Sequence, residues 1–451
     1  MNGAVQLPLD LGELTITASG GTLVRRSVLP CGVRVLSERV PGSQSATVGF
    51  WLAVGSRDEE PVTYGSTHFL EHLLFKGTSQ RSALDIAVVL RLRRGEHNAL
   101  TAKEYTCYYA KVRDRDLPMA VEVLADMVTS SVLEPGEFDS ERGVILEELA
   151  MADDDPGDVA SERLFEAVFG DHPLGRPIGG TPASITAVGR DAVHAHYLAN
   201  YRPEELVITV AGAVDHDVLV TGVMAALAEA GWDPDATAPP AARRDTTPGL
   251  IGGVRARTIV ERPLEQANLM LGVSALSATD ERRPALVVLN AILGSGMSSR
   301  LFQEVRERRG LAYSVYSFSS GYADAGILGL YAGCSPRNAG SVAELMLGEL
   351  RRLSEEPVSA DELARAQGQL GGASALALED SDTRMTRLGR SEITHGEFAD
   401  LDETLRRIGA VTRDDIQALA ADLASRPLSL SAVGALDADA FAHLTGETVA
   451  A

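Results

Sequence analysis

The chain of 451 residues is poor in cysteine, in aromatic residues (5%) and in positive charge. Its three cysteines, Cys31, Cys107 and Cys334, show no CxxC spacing and cannot all pair. That excludes a disulfide scaffold and suits a reduced compartment. Lys and Arg number 41 against 63 Asp and Glu, a net charge of −22 with the acid spread along the chain. Nucleic-acid binding needs clustered cations for the phosphates, so that class is excluded. No apolar run approaches the length of a membrane span. Met1 to Gly21 lacks a basic region followed by an apolar stretch, so no signal peptide is predicted and a cytoplasmic location is expected. There is no G-x-S-x-G nucleophile elbow, and Gly294-Ser-Gly296-Met-Ser-Ser299 lacks the Gly-Lys-Ser/Thr ending of a phosphate loop. No PLP, flavin or haem signature stands out.

What the chain does have is apolar residues, 45% of the total, ample for buried cores in two to four domains. It also has acid, which favours cationic peptides where it lines a cavity. Asp153-Asp154-Asp155 is either such a lining or a solvated helix terminus.

The sharpest local signal is His68-Phe69-Leu70-Glu71-His72. Thr67 to Lys76 contains no proline or glycine and reads as a helix, on which positions i and i+4 share a face. His68 and His72 can therefore aim two ring nitrogens at one tetrahedral zinc, with Glu71 near the same face where it can polarise a water. The pattern H-x-x-E-H is the inverted form of a metalloprotease signature. The segment Glu134 to Met151 reads as a second helix, carrying Glu141, Glu147 and Glu148. Glu141 and Glu148 lie almost two turns apart on one face, about 10 Å in rise, so one of them binds an ion and the other supports it. The alternative is that all three are solvated charges on a surface helix.

Residues Trp232 to Gly253 hold Asp-Pro, Pro-Pro, Thr-Thr-Pro and Gly-Gly, a linker by composition. Trp51-Leu-Ala-Val-Gly-Ser-Arg-Asp58-Glu59 is echoed by Val273-Ser-Ala-Leu-Ser-Ala-Thr-Asp280-Glu281 at an offset of 222. At that offset His68, Glu71 and His72 correspond to Asn290, Leu293 and Gly294, so a duplicated second half has no zinc chemistry. Strands such as Ala46–Val54, Thr106–Val112 and Leu206–Ala211 alternate with helices such as Leu117–Thr129 and Asp215–Ala230. The fold class predicted is α+β: an antiparallel sheet with helices on one side, present twice. The expected divisions are a zinc-binding domain over 22–231, a linker over 232–254 and a homologous inactive domain over 255–445.

Taken in order, several segments resemble the pitrilysin/insulinase zinc peptidases, most closely the half-length bacterial and mitochondrial-processing-peptidase branch. They are His68-x-x-Glu71-His72, Glu148 in Val144-Ile-Leu-Glu-Glu-Leu149, Val28 to Val35, Trp51 to Asp58, Glu96 to Tyr109, His172-Pro-Leu-Gly-Arg-Pro177, Gly296 to Arg306 and Gly310 to Ser314. The resemblance spans nearly the whole chain. It implies Zn2+ bound by His68, His72 and Glu148, with Glu141 supporting from behind and Glu71 as general base. It makes Asn98 and Ala99 part of an edge strand that takes an extended peptide as an added strand. It matches Arg306 and Tyr313 to a pair that reaches the scissile carbonyl, and implies a homodimer in which each chain supplies that pair to its partner. Two departures stand out. Arg94-Gly95 replaces the family's paired glycine, and His97 stands where an apolar residue is expected; the latter reads as a partly exposed strand histidine rather than a ligand. The function expected is a metalloendopeptidase acting on short or unfolded polypeptides. The alternative is a noncatalytic scaffold of the same fold, as in respiratory-complex core subunits, against which the intact ligand set argues.

Overall fold

The computed structural model describes residues 3–92, 95–247, 256–437, 441 and 444. Arg94, linker residues 248–254 and residue 445 lie outside the described residues.

Strands run in chain order as β1 (Val5–Gln6), β2 (Glu13–Thr17), β3 (Leu23–Val28), β4 (Arg34–Arg39), β5 (Ser45–Leu52), β6 (Glu96–Thr101), β7 (Thr106–Arg113) and β8 (Leu206–Gly212), then β9 (Arg257–Glu261), β10 (Ala267–Ser274), β11 (Ala312–Gly321), β12 (Gly326–Cys334), β13 (Glu397–Phe398) and β14 (Ser429–Gly434). The helices are α1 (Ser66–Leu73), α2 (Ala83–Leu92), α3 (Leu117–Ser130), α4 (Pro135–Asp154), α5 (Pro156–Phe169), α6 (Pro182–Ala187), α7 (Arg190–Asn200) and α8 (His216–Glu229), then α9 (Arg283–Gly294), α10 (Ala339–Glu355), α11 (Ala360–Ala377), α12 (Ser381–Arg390), α13 (Leu401–Gly409) and α14 (Arg413–Ser425). No described helix is long and apolar enough to cross a membrane.

The chain forms two compact units, neither contiguous in sequence. Unit 1 comprises residues 1–149, 177–243 and 375–404; unit 2 comprises 150–176, 244–374 and 405–451. The contiguous halves expected from the linker are thus interleaved: α5 belongs to unit 2 and α12 to unit 1.

The duplication is visible in the sheets. Unit 1 carries β2-β3-β4-β8-β5-β7-β6 and unit 2 carries β11-β12-β10-β14-β9. Reading β4-β8-β5-β7-β6 beside β9-β14-β10-β12-β11, the first pair is parallel in both and every later pair antiparallel. β5 and β10 start 222 residues apart, the offset read from the sequence. The expected α+β fold, present twice, holds, and two details refine it. Each sheet contains one parallel pair, because β8 and β14 return beside β4 and β9 only after long excursions. Helices also cover both faces rather than one. In unit 1, α3 and α8 contribute to the main core, while α12 seals the other face through Met385 and Leu388 against Trp51, Val207 and Ala211. In unit 2, α5 does the same with Val159, Leu164 and Val168 against Met270 and Val433. Burial on both faces explains why β5 reads as a nearly continuous apolar run instead of alternating. Cys31, Cys107 and Cys334 are buried and unpaired.

Candidate active site

Helix α1 carries the motif. Its Phe69, Leu70 and Leu73 are buried in the unit 1 core, which turns His68 and His72 to the opposite, half-open side. Its first turn has no side-chain cap of its own; Gly65 enters it at φ 91°. The capping is done from a distance by buried Glu59, whose carboxylate accepts the N–H groups of Gly65 and Thr67 at 2.7 Å each. Buried His196 adds a hydrogen bond to the Thr67 hydroxyl at 3.1 Å.

Helix α4 runs beside α1. Phe138 stacks flat on Phe69 with ring centroids 4.4 Å apart, and the Arg142 guanidinium lies over both rings. Arg142 also donates to the carbonyls of Ile185 and Val188. This packing fixes α4 so that Glu148 faces the histidines. Glu148 Oε2 lies 3.6 Å from His68 Nε2 and 3.3 Å from His72 Nε2. An ion with tetrahedral bonds of about 2.0–2.1 Å sets its ligand atoms about 3.3–3.4 Å apart. The carboxylate oxygen therefore stands near zinc-ligand spacing from each ring nitrogen, and all three atoms are of zinc-binding type. Among the described residues, His68, His72 and Glu148 form a grouping able to hold a metal. Glu148's side chain is 54% exposed, so the grouping is open to solvent at that corner.

Glu141, one face and two turns back, is buried. Its Oε2 accepts from His72 Nδ1 at 3.0 Å and its Oε1 accepts from Lys76 Nζ at 2.6 Å. The first contact selects the His72 tautomer with a free Nε2 lone pair directed at the ligand triangle. Burial, and then the neighbouring His72, lower the pKa of His68, which keeps that ring neutral and able to coordinate. His68 Nδ1 is buried without a protein partner among the described residues, so the two imidazoles are not supported alike. Lys76 and Glu59 were both missed in the sequence. Lys76 continues the i, i+4 series of His68 and His72, a signal a longer reading of the helix face would catch. Glu59 has no sequence signature.

Glu71, half-buried, accepts a hydrogen bond from the Thr101 hydroxyl at 2.5 Å. Thr101 ends β6, which is an edge strand of its sheet, as expected. Asn98 and Ala99 sit on it opposite Tyr109 and Tyr108. The Ala99 N–H donates to Asn98 Oδ1 at 2.9 Å. His97 is half-buried with its ring 5.9 Å from that of Phe75, a packing position rather than a ligand. Of the acidic run, Asp155 caps α5 and Asp153 pairs with Arg262.

Unit 2 holds Arg306 and Tyr313 together. Arg306 lies in a π-helical turn, Phe302–Glu307, a form frequent at functional sites. Its guanidinium covers the Tyr313 ring at 4.5 Å and donates to the Tyr313 carbonyl at 2.8 Å. Tyr313 interrupts the β11–β12 register and is 78% exposed. The counterpart of the zinc site in unit 2 is closed: a Cβ on Gly294, the position equivalent to His72, would lie 2.2 Å from the Ser317 backbone nitrogen.

Residues 34–182 match the family model described as insulinase (peptidase family M16), and residues 187–370 match that of the peptidase M16 inactive domain. An uncharacterized zinc protease of Streptomyces coelicolor is 49% identical over 413 residues, 92% of this chain and 90% of that protein. One from Mycobacterium leprae is 44% identical over 94% of each chain, and one from Bacillus subtilis is 36% identical over 91% of this chain and 98% of its own. Among solved structures, a protease from Helicobacter pylori superposes with a TM-score of 0.82 at 21% identity, covering 91% of this chain and 99% of the other. A putative M16-like peptidase from Alicyclobacillus acidocaldarius gives 0.80 at 20%, covering 93% and 99%. The chain belongs to peptidase family M16, the pitrilysin/insulinase family.

Proposed function

We propose that this protein is a zinc metalloendopeptidase that hydrolyses peptide bonds in short or unfolded polypeptides. The observation that carries the reading is the triangle of His68 Nε2, His72 Nε2 and Glu148 Oε2, with Glu71 on the same helix as the two histidines. Zinc held by that triangle supplies Lewis acidity, polarising a carbonyl and lowering the pKa of water towards about 7. Glu71 takes a proton from the attacking water and delivers it to the leaving amine nitrogen. Glu141 holds His72 in its binding tautomer. Backbone pairing along Asn98 and Ala99 selects extended chains and gives little sequence preference. The buried, unpaired thiols suit a reducing cytoplasm.

The test is digestion of a peptide library by the purified, zinc-loaded protein, read by mass spectrometry beside a stable globular protein. Library peptides are expected to be cut and the folded protein left intact. A zinc-loaded protein that cuts no peptide overturns the reading in favour of a scaffold. Efficient cutting of a substrate that stays folded overturns the strand-addition mode.

Arg306 and Tyr313 suit the oxyanion of the transition state, since guanidinium and phenol both donate hydrogen bonds. The half-length chain is assigned a homodimer in which each copy supplies this pair to the other's zinc site. Glu71→Gln and Tyr313→Phe homodimers are each expected to be severely impaired. Mixed equally with subunit exchange, they restore one intact site in four, about a quarter of wild-type activity. Verified heterodimers as impaired as their parents would remove Tyr313 from a role in trans.

A further inference from the structure

The contact between Thr101 and Glu71 joins two elements 30 residues apart in sequence, the edge strand and the motif helix. Thr101 is 7% exposed, and a valine would fill its place in β6 equally well by shape. What threonine adds is one hydroxyl, given to the carboxylate that the proposed mechanism uses as base.

The two elements are already registered without that hydroxyl, by a single loop. The N–H of Ser56 donates to the Ala102 carbonyl at 3.2 Å and that of Arg57 to the Lys103 carbonyl at 2.9 Å, fixing the turn just after Thr101. The approach is so close that a Cβ on Gly55 would lie 2.4 Å from the Ala102 oxygen. Farther along the same loop, Glu59 clamps the start of α1. On the other side, the Thr106 hydroxyl, opposite Thr101 across the hairpin, donates to the Val54 carbonyl at 2.9 Å. With both backbones clamped, the freedom left to the Thr101 hydroxyl is the Glu71 side-chain rotamer. Engaging Oε2 holds the carboxylate in one orientation, and the lone pairs not given to that hydroxyl can take or give a proton.

We propose that Thr101 is a positioning residue for Glu71. It holds the base in its working rotamer from the strand that receives the substrate, so that a peptide seated on Asn98 and Ala99 meets a carboxylate already aimed. This rests on the peptidase reading above. The test compares Thr101→Val and Thr101→Ser with the wild type, all zinc-loaded. In Thr101→Val, kcat on an extended peptide is expected to fall about 10- to 100-fold with KM within about twofold, as small misplacements of a catalytic group do. Zinc stoichiometry and Tm are expected to stay unchanged, and Thr101→Ser to recover most of kcat. In a Glu71→Gln background, adding Thr101→Val is expected to leave the Kd for the same peptide unchanged. Crystal structures of the three zinc-loaded proteins supply a reading that does not depend on turnover: Glu71 Oε2 on the hydroxyl in wild type and Thr101→Ser, displaced in Thr101→Val. A Glu71 carboxylate that stays in place in Thr101→Val overturns the role. So does a kcat loss matched by zinc loss, or a Thr101→Ser variant no better than the valine. A wild type that binds zinc but cuts nothing strikes the peptidase reading alone, and the crystallographic comparison then decides Thr101 by itself.

Discussion

Glu71→Gln should retain zinc and the wild-type fold while losing about 10²- to 10⁴-fold in kcat, the range general acid–base catalysis supplies. Glutamine keeps the length and shape of glutamate, and its amide oxygen can still accept from the Thr101 hydroxyl, so the side chain stays where it is. What it loses is the ability to take and return a proton. None of the three ligand atoms is touched, because Glu71 stands outside the triangle of His68, His72 and Glu148. Metal content by elemental analysis and turnover of an extended peptide should therefore separate cleanly. Substantial turnover by fully zinc-loaded Glu71→Gln would remove Glu71 from the role of base.

The parts of this site that were legible in the sequence are those fixed by helical spacing. His68 and His72 share a face because four residues make about one turn. Glu141 and Glu148 share one because seven make about two. The role of each carboxylate, by contrast, came from resemblance, since spacing alone leaves either one as the ligand. The structure sets the geometry apart: Glu141 is buried against His72 Nδ1, and Glu148 faces both Nε2 atoms. Residues that act across long sequence separations left no local trace. Glu59 caps α1 from six residues before Gly65, with no S/T-x-x-E box to announce it. Thr101 reaches Glu71 through a tertiary contact that no periodicity encodes.

The duplicated sheets were legible through the recurring strand-and-acid pattern at an offset of 222. The exchange of α5 and α12 between units was not. Val159, Leu164 and Val168 mark α5 as amphipathic, but an apolar stripe does not say which sheet it covers. The usable hint was in the strands. β8 is buried at every position, which demands a helix on each face. Pairing β8 parallel to β4 was equally hidden, because turn signals report only strands adjacent in sequence.

Glu148→Gln should strip most of the zinc, and Glu141→Gln should leave the site occupied but weaker by about 10- to 100-fold. The contrast follows from what each carboxylate touches. Glu148 Oε2 is the third corner of the ligand triangle and carries its only negative charge; a neutral amide offers a poor oxygen donor to a dication. The two imidazoles alone then leave the ion short of its usual three protein ligands. Glu141 lies behind His72. An amide at 141 can still accept from His72 Nδ1, but it gives up the charge that makes that ring a better base and that pairs with Lys76. Its effect is therefore graded where that of Glu148 is nearly complete. Competition with a chromophoric chelator at pH 7 measures both affinities on the same footing, and peptide turnover should track zinc occupancy in each variant. Zinc affinity unchanged in Glu148→Gln would refute its place as a ligand. A Glu141→Gln variant that loses its zinc while Glu148→Gln keeps it would exchange the two assignments, making Glu141 the ligand and Glu148 an exposed charge at the mouth of the site.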